Sequence, residues 1–375
     1  MKSPLIRTLP ALVAASLVFA ACGSSSDDEA ATTGGQTSAS AFPALVSPVE
    51  QLQKRPTGIG IEEPLGAPVP RSKTIAYIQC GAPACATNGG FLRAALETLG
   101  WKMRAINAGT TPEQIKAAYA QALDEKPDAV VGTGFARALF EPELSALVAA
   151  GIPVVQAYVT DDPSEGVDVL AGKPMIDIAA RQVADYVLAN SSERGGKLAV
   201  VYTSAFPSLK LSAESFEQRV AEHCPDCEVE TLDVPGSSIG TDLPTRVASF
   251  LSSHPDVEWA YVGYADMVIG LPAALRGAGI EDVKLVTNNV NTTISGYLKS
   301  GQMVRAGVGV QTPEVYWRIA DLLVRKLAGR DPAVDVDDST LPYWIVTGDN
   351  VPSTTESFPG VVDYRAQYEA LWGVG

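Results

Sequence analysis

From Lys73 onward, short β-branched runs that are apolar at almost every position alternate with amphipathic stretches, and this alternation constrains the fold more than any other feature. A strand without a polar face must be covered on both sides, and a helix between consecutive strands supplies the crossover that parallel pairing needs. The strand runs are residues 74–79, 102–108, 129–132, 153–158, 198–203, 228–234, 259–263, 284–287 and 305–310. Helical periodicity falls on 112–123, 142–150, 176–189, 213–222, 243–252 and 315–327, with a closing helix at 362–372. So many units predict an α/β chain of two doubly wound, parallel-sheet lobes rather than one very wide sheet.

In open parallel sheets ligands collect beyond the carboxyl ends of the strands. The loops there are 79–85, 133–137, 158–162, 204–210, 236–240, 264–266, 288–291 and 311–312. Amides, hydroxyls and aromatic rings dominate them, and few members can act as a general base.

Charge and composition narrow the function further. The chain has 28 basic against 43 acidic side chains and a net charge of −15. Such a surface repels phosphate backbones, so no nucleic-acid partner is expected. Its only histidines are His223 and His254, which excludes HExxH chemistry and any site needing several His ligands. No metal and no cofactor are expected. A GxxxxGK[ST] phosphate loop is absent, so the chain is not its own ATPase. Gly132-Thr133-Gly134 begins a dinucleotide fingerprint that Arg137 ends, standing where the third glycine belongs. Gly236-Ser237-Ser238-Ile239-Gly240 matches GxSxG and offers Ser238 as a hydrolase nucleophile. His254, however, sits in a helix-to-strand turn expected at the far end of the sheet, and a plain turn needs nothing special. The run Asp335-Val336-Asp337-Asp338 lacks the Gly and closing Glu of a calcium loop and reads as a solvated acidic turn.

The N-terminus addresses location. Lys2 and Arg7 precede an apolar run, 9–21, that ends in small residues, the pattern of an export signal over 1–21. Cys22 follows directly, with Phe19 three residues before it, and the segment resembles the lipobox of bacterial lipoproteins, in which Cys22 would be lipidated. A plain secretory peptide is the alternative. Residues 22–71 are rich in Ser, Thr, Ala, Gly and Pro and are expected to be a disordered tether, with a short helix near 46–53. A flexible leash of that length reaches about 40 Å root-mean-square. Export favours disulfides, and the close pairs Cys80/Cys85 and Cys224/Cys227 are expected to form two local clips. Four cysteines permit three pairings; a zinc site and a redox CxxC are the rival readings.

Three stretches then carry a family resemblance over about residues 72–350. His254-Pro255-Asp256 leading into a strand, with Asp266, Met267, Gly270 and Leu275, is one. The run 307–313, ending Gln311-Thr312-Pro313, is the second, and the first βα unit, 73–100, is the third. Their order is similar to the type I periplasmic binding proteins, the sugar-binding branch of ABC importers. The resemblance implies a first lobe over 72–170 completed by 312–332, a second over 171–311 completed by 333–351, and a C-terminal extension over 352–375. Crossings would lie near 166–172, 306–313 and 341–345. Gln311 matches the family's binding glutamine, Asn289 the position of a common aspartate, and Tyr264 that of an asparagine. The family's Asp-Arg pair is replaced by Tyr158-Val159, its opening aromatic pair falls on Ala84-Cys85, and its helix arginine falls near Ser212, with Lys210 the nearest cation. The loss of these charged contacts points to a neutral, partly apolar solute.

The expected contacts are Pro83, Phe135 and Tyr158 from the first lobe, Phe206, Tyr264 and Asn289 from the second, and Gln311 at the hinge, with Trp317 a further stacking candidate. The resemblance implies a solute-binding lipoprotein, not an enzyme, expected to be a monomer. Its partners would be a small solute and the permease and ATPase subunits of an ABC importer, at the outer face of the cytoplasmic membrane. A sensor that hands its ligand to a membrane kinase or chemoreceptor shares the fold, as do repressors of the lactose type. The latter would need a DNA-reading helix that 1–71 does not offer.

Overall fold

A computed structural model describes residues 40–81, 83–191, 195–352 and 360–375. Cys22, the export signal and the start of the tether lie outside the described residues.

The first lobe is built from β1 (Thr74–Cys80), α2 (Pro83–Thr98), β2 (Lys102–Gly109), α3 (Pro112–Glu125), β3 (Ala129–Thr133), α4 (Glu141–Ala149), β4 (Val154–Ala157) and β5 (Val167–Leu170), preceded by α1 (Pro43–Leu52). The second contains α5 (Lys173–Ala189), β6 (Lys197–Tyr202), α6 (Pro207–His223), β7 (Glu228–Asp233), α7 (Leu243–Ser252), β8 (Val257–Val262), α8 (Ala265–Val268), α9 (Leu271–Gly277), β9 (Lys284–Asn288), α10 (Thr292–Lys299) and β10 (Val304–Gly309). Helix α11 (Thr312–Leu327) returns to the first lobe, β11 (Trp344–Thr347) to the second, and α12 (Tyr364–Trp372) ends on the first.

The first sheet runs β2-β1-β3-β4-β5, parallel throughout. The second runs β11-β10-β9-β8-β6-β7, parallel except at β11, which pairs antiparallel with β10. The all-apolar strands behave as their composition requires. In β1, Ile75 and Tyr77 enter one core while Ala76 and Ile78 enter the core on the opposite face. In β8, Trp259 and Tyr261 face α5 and α6 while Ala260 and Val262 face α7 and α9. Two short edge strands, β5 and β11, occupy places where the sequence shows only crossings. Both have four residues, too few to carry a readable period.

Residues 40–71, expected to be part of a disordered tether, are instead packed on the protein. Phe42, Leu45 and Val49 recur at helical spacing and bury against α5 in the second lobe; Ile59, Ile61 and Leu65 bury in the first. Those apolar residues, thinly spread through a polar segment, outweigh its composition. The disulfides pair Cys80 with Cys85 and Cys224 with Cys227.

The acidic turn is a second correction, because Asp335 and Asp338 are buried. Arg318, on α11, donates to the carbonyls of Asp335 (3.0 Å) and Val334 (2.8 Å). Arg325 binds Asp321 (2.9 Å) and lies 3.4 Å from Asp335. Helix α12 closes over this row: Tyr368 donates to Glu314 (2.7 Å) and Trp372 to Asp321 (2.7 Å). Two guanidinium groups thus face the carboxyls of Glu314, Asp321 and Asp335 in a dry interior, so one carboxyl is best kept protonated. Burial raises Glu314 to about 7, against the pull of Arg318 and the Tyr368 hydroxyl. Burial and the charge of Asp321 hold Asp335 above the usual carboxylate range.

A carboxyl whose folded pKa is raised contributes stability that is complete below its unfolded value and is lost as pH rises through the folded one. Thermal stability is therefore expected to fall between about pH 5 and about pH 8. Glu314→Gln keeps an acceptor for Tyr368 and should flatten that fall; melting curves across the range check it, and an unaltered slope would contradict the assignment.

Candidate functional site

Both sheets direct their carboxyl ends toward the crossings, and the expected contact residues stand on the loops that follow. In the first lobe Thr133 is paired with Ala157 at the ends of β3 and β4, and Tyr158 is the next residue. In the second, Asn289 follows β9, where its N–H donates to Val308 (2.7 Å). Gln311 follows β10 and caps α11.

Two of these positions are backbone outliers. Tyr158 has φ +57° and Asn289 φ +65°, in the left-handed region. Asparagine tolerates that conformation, but a bulky aromatic residue does not adopt it without cause, and such strain collects at functional sites. The strand end forces the turn at Tyr158 and swings its ring onto Tyr316 of α11, 6.2 Å away between centroids. Gly309 lets β10 pass close to Asn289: a Cβ there would lie 3.3 Å from the Asn289 Cα.

Three of the seven expected residues, Tyr158, Tyr264 and Asn289, are linked to one another, and Gln311 stands one residue from a partner of Tyr158. Ionisation of Tyr158, of the first lobe, is opposed by Tyr264, of the second, and the Tyr264 hydroxyl interacts with Asn289. Gln311 adjoins Thr312, whose hydroxyl faces that of Tyr158. The Asn289 Oδ1 accepts from Val290 N–H (2.9 Å), which fixes the amide. Burial pushes the phenols of Tyr158 and Tyr264 upward, so both remain uncharged donors at neutral pH. Gln311 Oε1 is sealed from solvent and has no hydrogen-bond partner, with Gln311 4% exposed; Tyr158 Oη is equally sealed, with the Thr312 hydroxyl facing it. Unmade bonds of this kind are costly in a dry interior unless a ligand completes them.

Phe135 and Phe206 are not joined to this group. Phe206 is 48% exposed and leans toward Gly236 at the β6–β7 side. Phe135 is half-buried against the core under α3 and α4. Pro83 opens α2, and its side chain lies outside the described residues. Trp317 is core, stacked on Trp372 at 5.5 Å. Ser212, at the place of the family's arginine, is buried against Tyr261 and Asn288 (both 2.6 Å). Sequence reasoning placed Thr312 on a strand-end loop without singling it out and missed Tyr316, because a helix buried along nearly its whole length carries no stripe that singles out one tyrosine. Tyr77 and Thr133 were missed too. Tyr77 donates to the Cys85 carbonyl (2.9 Å) and so ties the clipped loop to β1.

The hydrolase reading has no geometry. Ser238 is buried in a turn with Asp242 beside it, while His254 is bound by the Phe250 carbonyl (2.8 Å) and approaches Glu230 (3.7 Å). Among the described residues no group of His, Cys, Asp and Glu is arranged to hold a metal.

The periplasmic binding protein domain matches residues 87–331. The chain belongs to that family. Solved structures agree in fold. The ABC sugar transporter subunit of Rhodobacter sphaeroides is 20% identical, with a TM-score of 0.61 over 74% of this chain and 98% of its own. A 5-methylthioribose transporter solute-binding protein from Thermotoga lettingae is 15% identical, with a TM-score of 0.62 over 83% and 95%. A putative LacI transcriptional regulator from Bacteroides fragilis is 16% identical, with a TM-score of 0.62 over 75% and 98%. Curated protein sequences give no match. This periplasmic binding protein thus has the type I, two-lobe architecture, and its family binds solutes rather than transforming them.

In this periplasmic binding protein Tyr158→Phe removes a buried hydroxyl that only the Thr312 hydroxyl faces. It should leave the melting temperature unchanged or raised, yet weaken solute binding about tenfold. Gln311→Ala should weaken binding by about 1–3 kcal/mol. Calorimetry at wild-type affinity for either variant would remove that residue from the site.

Proposed function

We propose that this chain is the solute-binding lipoprotein of an ABC import system, capturing a small neutral sugar or sugar-like solute by hinge closure. The observation that carries the reading is the approach of Tyr158, Tyr264 and Asn289, drawn from both lobes, as uncharged polar groups, with the buried Gln311 Oε1 unpaired at the hinge. A solute that touches both lobes binds the closed form better than the open one, and only such differential affinity moves the equilibrium. Hydroxyls suit phenol and amide donors and acceptors, and the tyrosine rings offer an apolar face to stack on. The names of the fold neighbours, an ABC sugar transporter subunit and a 5-methylthioribose transporter solute-binding protein, support the same class. In this reading Cys22 carries a lipid at the outer face of the cytoplasmic membrane, and the monomeric domain delivers its cargo to a permease driven by separate ATPase subunits. Pro83, Phe135 and Phe206 would join the site only as rim contacts on closure. No bond is made or broken.

The tyrosine cluster also favours a second solute class, nucleosides and other ring-bearing neutral compounds. A thermal-shift screen of sugars, polyols, nucleosides and aromatic acids separates the two. A saturating ligand at 100 times its Kd adds about 2.7 kcal/mol of stability, a shift that such a screen resolves. A sugar or polyol is expected to raise the melting temperature. Shifts confined to charged acids would overturn the neutral-solute reading.

A further inference from the structure

The strap that replaces the expected leash crosses between lobes a fourth time, and the C-terminal segment a fifth, both outside the family-matched residues 87–331. At one end, the Gln53 carbonyl accepts from Trp344 Nε1 (3.1 Å) and Asn350 Nδ2 (2.8 Å), which belong to the second lobe at β11 and just beyond. At the other, the Thr57 carbonyl accepts from Gln367 Nε2 (2.8 Å), and Ile59 N–H donates to Gln367 Oε1 (3.2 Å), on α12 of the first lobe. Arg55 lies between and touches both sides: its guanidinium sits 5.5 Å over the Trp344 ring, and its Nε donates to the Gly360 carbonyl (2.8 Å). Gly360 in turn is pressed against the binding glutamine, where a Cβ would lie 3.2 Å from the Gln311 Cβ and 3.3 Å from Oε1.

We propose that residues 53–58 are a positioning brace which sets the resting angle between the lobes and, through Arg55 and Gly360, the place of Gln311. The inference rests on the two-lobe closure reading but names machinery that the family match does not contain. Its physical basis is slack. Gln53 moves with the second lobe and Thr57 with the first, and four residues of chain span at most about 14 Å even when extended. A rotation that would carry those anchors farther apart than this span must break the Gln367 or Gln53 hydrogen bonds or pull Arg55 off Trp344. Each such rearrangement biases the open–closed equilibrium, and 1.4 kcal/mol is a tenfold change in it.

The test uses the full chain with Cys22→Ser and both disulfides intact, so that introduced thiols are the only free ones. Spin labels at Lys116→Cys and Ala273→Cys, exposed on α3 and α9, report the interlobe distance by double electron–electron resonance without any solute. In Arg55→Ala, and in a variant with Gly-Ser-Gly-Ser inserted between Thr57 and Gly58, the distance distribution should shift or broaden while the melting temperature stays close to the parent's. Arg55 is exposed, so its truncation leaves the fold intact even if the insertion does not. A distribution unchanged in Arg55→Ala and in any folded insertion variant overturns the brace. Because the measurement needs no ligand, a sugar screen without a hit would count against the transport reading and leave this result standing.

Discussion

Asp338 is the contact on which the two-lobe arrangement depends. Each sheet has its own core on each face, so no shared interior fixes one lobe against the other. Their relation is set where the chain crosses. The Asp338 carboxylate accepts the N–H groups of Ala171 (2.7 Å) and Gly172 (2.9 Å) at the first crossing, while its own carbonyl, at the third, accepts from Tyr343 (2.9 Å). Burial raises this carboxyl even though the backbone donors act to lower it, so the clamp is held in a dry place. Ala171 takes φ +54° to present its N–H, and Ala171, Val310 and Leu341, one from each of the three crossings, share the first lobe's core. Hydrogen bonds to a carboxylate are among the stronger ones a protein makes, and here they tie the first crossing to the third.

The candidate site is a consequence of that joint. Parallel strands end together, and the peptides beyond them have no ladder to satisfy them, so side chains and sharp turns take over. At Tyr158 the turn is strained, and at Gln311 an amide oxygen is left without a partner. Both costs are tolerable in a protein whose stability rests on large cores elsewhere. An uncharged set of donors and acceptors also avoids the desolvation penalty that a charged clamp would suffer on closure.

The charged row along α11 serves a different end. Arg318 reaches back to the third crossing, Arg325 holds Asp321 and Asp335, and α12 covers the whole. The C-terminal helix is thereby part of the first lobe and not an appendage, and the strap threads between it and the rest: Leu65 N–H donates to the Leu371 carbonyl (2.8 Å). Segments that composition marks as linkers have become structural.

The sequence by itself determined the two parallel sheets, because strands apolar on both faces admit no other packing. It also placed Tyr158, Tyr264, Asn289 and Gln311 correctly at strand ends, since that follows from strand order alone. It could not tell how Phe135, Phe206 and Trp317 are buried, because an aromatic residue has the same signature whether it packs at a strand end, leans into solvent or fills a core. Nor could it foresee that Asp335 and Asp338 are buried. A run of acids looks solvated until arginines ten and seventeen residues before Asp335 are folded against it and backbone N–H groups from a distant crossing arrive. Those partners are long-range, as are the contacts that turn residues 40–71 from leash into strap. Local periodicity reports what a segment can bury, and only the tertiary structure decides what it is buried against.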